Sequence, residues 1–80
     1  MSIRLSELAK GRRARVVGVD AATETGVRIL EMGLTPGATV VLTGAAPLGD
    51  PLAFEVRGYR LSLRKVEADL VQVEECQAEP

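Results

Sequence analysis

Apolar and polar residues change their period along this chain, and the changes divide it into elements. Leu5-Ser6-Glu7-Leu8 sets two leucines three apart, the spacing of one helical turn, and Gly11 ends that turn. Residues 14–19 are β-branched and apolar and read as a strand. Between residues 22 and 33 the period lengthens to that of a helix. Val27, Leu30 and Leu34 fall on one face, while Arg28 and Glu31 fall elsewhere and can pair across one turn. Thr23 or Thr25 suits the N-cap, and Glu24 favours the first turn. Gly33 stands where a left-handed residue closes a helix, and Pro36 forbids continuation. On this reading Leu30 anchors the helix in the core, and Gly26 weakens the helix by up to about 1 kcal/mol relative to alanine.

After the turn Thr35-Pro36-Gly37 the period falls to two. Strands are predicted over 39–45, 52–56, 59–63 and 70–73. Pro47-Leu48-Gly49-Asp50-Pro51 is a rigid loop between the first two, and 66–69 a tight turn before the last. The middle pair fixes its own register. With Arg57-Gly58 as a two-residue hairpin loop, Val56 faces Tyr59, Phe54 faces Leu61 and Leu52 faces Leu63, all apolar and on one face. On the other face Glu55 opposes Arg60 and Ala53 opposes Ser62. A slip of one residue would destroy every one of these matches. The same register turns Phe54 and Tyr59 inward.

Short strands, tight turns and one helix predict a mostly β fold: a small SH3-like five-stranded barrel with one inserted α-helix. The barrel is expected over residues 1–73, with 74–80 an acidic, disordered tail. The length of 80 residues suits one domain and not two. At 46% apolar the chain is too hydrophobic for disorder, yet no window approaches the roughly 20 apolar residues of a membrane span. The first residues carry no signal-peptide pattern, and a lone Cys76 suits a reducing compartment, so a cytoplasmic location is expected.

Charge adds an asymmetry. Net charge is −1, but residues 1–65 hold all ten Lys and Arg against six acids, and residues 66–80 hold five acids and no base. Lys10, Arg12, Arg13 and Arg15 cluster as a solvated loop and strand edge or, on a sharper reading, as a contact for an acidic partner or an anionic membrane face. The chain has no histidine, so a nucleophile has no imidazole base beside it and zinc lacks its usual nitrogen ligand. Neither G-x-x-x-x-G-K-S/T nor G-x-G-x-x-G occurs, so no phosphate loop is present. Only Phe54 and Tyr59 are aromatic, and both are expected inside, which disfavours base stacking and polyproline grooves. Enzyme and nucleic-acid-binding readings therefore fall away, and no catalytic residue, metal ligand or cofactor is assigned.

Four segments carry a family resemblance: Leu5-Ser6-Glu7-Leu8-Ala9-Lys10-Gly11, Leu30-Glu31-Met32-Gly33-Leu34-Thr35-Pro36-Gly37, Ala46-Pro47-Leu48-Gly49-Asp50-Pro51 and Leu61-Ser62-Leu63-Arg64-Lys65-Val66-Glu67-Ala68. In this order and spacing they resemble the ferrous iron transport protein A family. The resemblance spans roughly residues 3–73. It implies a cytosolic accessory that binds a membrane ferrous-iron transporter with a cytosolic G-protein domain. A second reading is a free-standing regulatory barrel that senses a metal or an effector. A weak metal contact through carboxylates, bridging molecules, stays open. The motif residues Leu30, Gly33, Pro36, Gly37, Pro47, Gly49, Asp50, Pro51, Arg64 and Glu67 shape turns and caps. The contact surface is expected at Met32, Leu34 and Leu48, apolar residues beside turns, with Arg12, Arg13 and Arg28 as a charged rim.

With no paired Cys or His to fix hard oxygen ligands, the isolated monomer should hold ferrous iron only weakly. Equilibrium dialysis at low protein concentration checks this; a stoichiometric micromolar site would contradict it.

Overall fold

Alternating side chains build most of this structure, a computed structural model that describes residues 2–76. The elements in order are β1 (Ser2–Arg4), a 3-10 turn (Leu5–Glu7), β2 (Arg13–Val19), α1 (Glu24–Glu31), β3 (Thr39–Ala45), β4 (Leu52–Val56), β5 (Tyr59–Leu63), α2 (Lys65–Ala68) and β6 (Val71–Glu75). The strands form one antiparallel sheet in the order β1-β6-β2-β3-β4-β5. The mostly β, SH3-like class is the one expected. A sixth strand, the three-residue β1, joins the expected five by pairing Ile3 with Val73.

The β4–β5 hairpin adopts the register read from the sequence, from Leu52 opposite Leu63 to Val56 opposite Tyr59. Arg57 at φ 49° and Gly58 at φ 87° form its two-residue loop, both left-handed as a primed turn requires. Alternate residues of the strands point to one face: Ala14, Val16, Val40, Leu42, Leu52, Phe54, Val56, Leu63, Val71 and Val73 are all buried in one cluster. The register shifts beside Gly18 on β2 and Gly44 on β3. Such bulges bend a strand and increase its twist, and here they let a short sheet curl over its own apolar face.

The helix departs from expectation in its buried face. α1 is shorter than predicted, and Thr23 caps it by accepting the Gly26 N–H at 3.0 Å. Ile29 is the buried anchor, Leu30 is half-buried, and Val27 is 43% exposed. Gly26 explains the shift. Its Cα lies so close to the backbone of Asp20 and Ala21 that any Cβ would strike the Asp20 carbonyl oxygen. The helix therefore meets the end of β2 along Gly26 and Ile29, one turn apart. Gly26 is a packing requirement here, not a weak point. Arg28 and Glu31 form no ion pair; the one found among the described residues joins Arg12 to Glu75.

Gly33 ends the helix at φ 108°, as expected. The exit is tied to the hairpin: the Tyr59 hydroxyl donates to the Met32 carbonyl, and Arg57 Nη2 donates to Thr35 Oγ1 at 3.4 Å. Tyr59 is 41% exposed, not inward as expected, because its ring leaves the core to reach that carbonyl. The turn predicted at 66–69 is the short helix α2. Glu74 and Glu75, expected in a disordered tail, are strand residues, with Glu74 opposite Arg15. The Cys76 N–H, also in that expected tail, donates to the Arg13 carbonyl at 2.8 Å, and 77–80 lie outside the described residues.

Gly26→Ala should destabilise the fold by about 1–3 kcal/mol through overpacking, although alanine is the better helix former. Ile29→Ala should cost about 2–5 kcal/mol, and Leu30→Ala clearly less. Urea unfolding of the three variants checks the ranking.

Candidate partner-binding surface

The loop between β3 and β4 projects an apolar side chain into solvent. Ala46-Pro47-Leu48-Gly49 is a turn closed by the Gly49 N–H on the Ala46 carbonyl at 2.7 Å, with proline where its fixed φ suits a turn. The Ala46 N–H donates to the Pro51 carbonyl at 2.9 Å and closes the base of the loop. Asp50 then reaches across to α2, its Oδ1 accepting the Lys65 N–H at 3.0 Å. Glu67 Oε1 accepts the Arg64 N–H at 2.8 Å, so two carboxylates satisfy donors that the start of α2 leaves unpaired. The Arg64–Glu67 pairing runs through the Arg64 backbone N–H.

These bonds set Leu48 beside the first residues of α2. Leu48 is 96% exposed, and Val66, next to the Asp50 contact, is 70% exposed. The Lys65 ammonium lies 3.8 Å from where a side chain on Gly49 would begin. Arg64 and Lys65 are both exposed. The loop and the start of α2 thus expose one apolar residue each, with Arg64 and Lys65 exposed beside Val66. Val66 was not foreseen: its neighbours suggested only a tight turn, and no periodicity distinguishes its outward face from that of buried Ala68.

Of the remaining contact candidates, Leu34, Met32 and Arg28 do not join this surface, whereas Arg12 and Arg13 lie toward it. Leu34 is fully buried and belongs to the core, so it is removed from the contact set. The chain returns from Gly33 into the barrel, and the Leu34 N–H still bonds the Ile29 carbonyl at 3.4 Å. Met32 is half-buried against the core, and Arg28 is exposed on α1. Met32, whose carbonyl accepts the Tyr59 hydroxyl, lies toward the hairpin end of β4, whereas the Leu48 turn precedes its start, a strand length of about 13 Å along. Arg12 and Arg13 are exposed at the beginning of β2, which the antiparallel pairing places at the same end of β3 as the Leu48 turn. Arg12 pairs with Glu75 at 3.9 Å on an open surface, worth about 0–1 kcal/mol.

A groove of about 440 Å³ opens elsewhere, lined by Arg4, Gly18, Asp20, Asp69, Leu70 and Gln72. Its carboxylates already hold local donors. Asp20 Oδ1 accepts the Ala22 N–H at 3.1 Å, and Asp69 accepts the Ser6 hydroxyl. Glu7 likewise accepts the Arg4 N–H at 2.8 Å. Among the described residues no three His, Cys, Asp or Glu side chains come together as a metal cluster. No helix among them is long and apolar enough to cross a membrane.

Residues 3–75 match the FeoA domain family. The chain belongs to that family. A Porphyromonas gingivalis Fe(2+) transport protein A/Fe(2+) transporter FeoB fusion protein is 40% identical over 72 residues, 90% of this chain. The chain spans only 8% of that relative's length. Among solved structures, a FeoA-like protein from Clostridium acetobutylicum superposes with TM-score 0.89 at 35% identity, covering 99% of this chain and 92% of that one. The FeoA of Stenotrophomonas maltophilia, crystallised with zinc and described as a prokaryotic SH3 domain protein, gives 0.81 at 33% identity, covering 90% and 89%. The FeoA motifs of this chain are structural where they can be traced. Gly33 and the Thr35-Pro36-Gly37 turn close α1, with the Gly37 N–H on the Val16 carbonyl at 2.8 Å; Asp50, Arg64 and Glu67 fix α2.

Asp50→Ala should remove one helix-start acceptor and cost about 0.5–2 kcal/mol. Amide exchange should quicken at Lys65 and through the 46–51 turn while the β4–β5 ladder stays protected.

Proposed function

We propose that this FeoA chain is a cytosolic, non-enzymatic accessory of a ferrous-iron uptake system and acts by binding the membrane transporter. The observation that carries the reading is the relative in which a FeoA-like stretch and the FeoB transporter are one polypeptide. A fusion of this kind holds two modules at high effective concentration, which favours an interaction between them. The accessory contacts the cytosolic part of the transporter, which the family resemblance gives a G-protein domain.

On this chain the contact is Leu48 and Val66, rimmed by Lys65 and Arg64, with Arg12 and Arg13 at the same end of β2 and β3 adding positive field. A nearly fully exposed leucine in a fixed turn is unusual for a solvent-facing loop and suits insertion into an apolar pocket. The matching site on the transporter is an apolar depression with acidic residues around it, since charge complementarity speeds encounter and fixes orientation.

Leu48→Asp and Val66→Asp should each leave stability within about 0.5 kcal/mol of the parent, because neither side chain is in the core. Both should weaken capture by the full-length transporter and lower ferrous-iron uptake in cells. Equal losses of stability and binding would place these residues in the fold's packing, and unchanged uptake with stable variants would move the contact to another face.

A further inference from the structure

The sheet ends in β1 on one side and β5 on the other, and the two edges differ. β1 is three residues long, too short to template another strand well. β5 has five residues, contains no proline or lysine, and pairs with β4 without a bulge. Its outward charge, Arg60, already faces Glu55. Apart from the charge of Arg60, β5 itself carries no proline, bulge or lysine to protect it from pairing.

The hairpin geometry says which groups this edge offers. A two-residue loop makes Val56 and Tyr59 a hydrogen-bonded pair, and pairs then alternate between bonded and non-bonded. Phe54 with Leu61 and Leu52 with Leu63 are bonded pairs, so Tyr59, Leu61 and Leu63 direct their backbone groups to β4. Arg60 and Ser62 direct theirs away from the sheet. Among the described residues neither makes a backbone hydrogen bond on that outer side. Two N–H and two C=O groups therefore stand in a row on an exposed strand.

We propose that this edge pairs antiparallel with β5 of a second copy of the chain, about a two-fold axis through Leu61. In this register Arg60 meets Ser62 of the second copy and Ser62 meets its Arg60, which satisfies all four outward groups on each strand's edge with four backbone hydrogen bonds. Leu61 meets Leu61 as a closely spaced, non-bonded pair, and this half-buried side chain loses its remaining exposure. The bonding parity allows two neighbouring registers, and both are opposed by charge. Centring on Arg60 sets two arginines directly opposite each other. Centring on Ser62 sets Arg60 against Arg64. Of the three registers only the one centred on Leu61 sets no like charges directly opposite within residues 59–63 and Arg64, leaving Arg60 and the second copy's Arg60 as diagonal neighbours, so the edge is best matched to itself at one position. The contact is small, so the dimer is weak and concentration-dependent.

Sedimentation of the full chain over a wide concentration range tests this, together with amide exchange at both ends of the range. The weight-average mass should rise toward twice the monomer value, and the Arg60 and Ser62 amides should gain protection only as it rises. Ser62→Pro removes an N–H that β4 does not use, at an edge position that tolerates proline. This variant should keep the parent's thermal melt and remain monomeric. A parent that stays monomeric throughout overturns the proposal, including one whose edge becomes protected only when the transporter is added. So does a dimer in which the Arg60 and Ser62 amides exchange as fast as in dilute solution, or a folded Ser62→Pro that still dimerises. If Ser62→Pro does not fold, the two parental amides decide the matter alone.

Discussion

The strands of this protein turn most of their apolar residues to one face, and six short strands can bury one face only by curling over it. Phe54 shows the constraint most directly. It is the largest fully buried side chain, on β4 between Leu42 of β3 and Leu61 of β5. Around it the sheet must bend, and the shifts at Gly18 and Gly44 provide the bends. The open end of the curl is closed by short elements, not by a second layer. Ile29 of α1 enters from one connection, Leu5 and Leu8 from another, and Ala68 of α2 from a third. A domain of this size has little core to spare, so each of these connections is held by named bonds. The paired short turns are an example: Arg4 with Glu7 and Arg64 with Glu67 use the same backbone-to-carboxylate closure, and Ser6 joins one turn to Asp69 beside the other.

This economy shapes what the surface can do. Carboxylates that might have gathered around a cation instead hold backbone N–H groups or a hydroxyl at the starts of short helices and turns. The residues that make the sequence recognisable as FeoA are largely those that fix loops: Gly33 and Gly37 at the exit of α1, and Asp50, Arg64 and Glu67 around the start of α2.

The sequence was most legible where the period was two. In 52–63, six apolar residues and one opposed charge pair agree on a single register, so the hairpin could be read to the residue. It was less legible where tertiary contact overrides pattern. Val27, Leu30 and Leu34 have good helical spacing, but Gly26 brings the helix against Asp20 and turns Ile29 inward instead. Helical spacing alone carries no record of that approach. Ser2-Ile3-Arg4 has one apolar residue and becomes a strand only because β6 is there to pair with it. Glu74 and Glu75 read as a solvated tail because their partners, Arg15 and Arg12, lie sixty residues earlier in the chain. On the candidate surface, Leu48 was legible as an apolar residue trapped in a proline-rich turn. Leu34 was misplaced because proximity to a turn says nothing about which way the chain re-enters the barrel.

The Asp50–Lys65 bond has a thermodynamic consequence for recognition. An exposed leucine on a slack loop would have to be immobilised by whatever binds it, at about 1–2 kcal/mol for each backbone residue fixed. Here the Leu48 turn is closed on itself, closed at its base and fastened to a helix before any partner arrives. The ordering entropy of the loop has been surrendered during folding, so a binding partner meets only the cost of association itself and not that of fixing the loop. In a small protein with few exposed apolar residues, a projection fixed in this way lets each apolar residue count for more in whatever interface it joins.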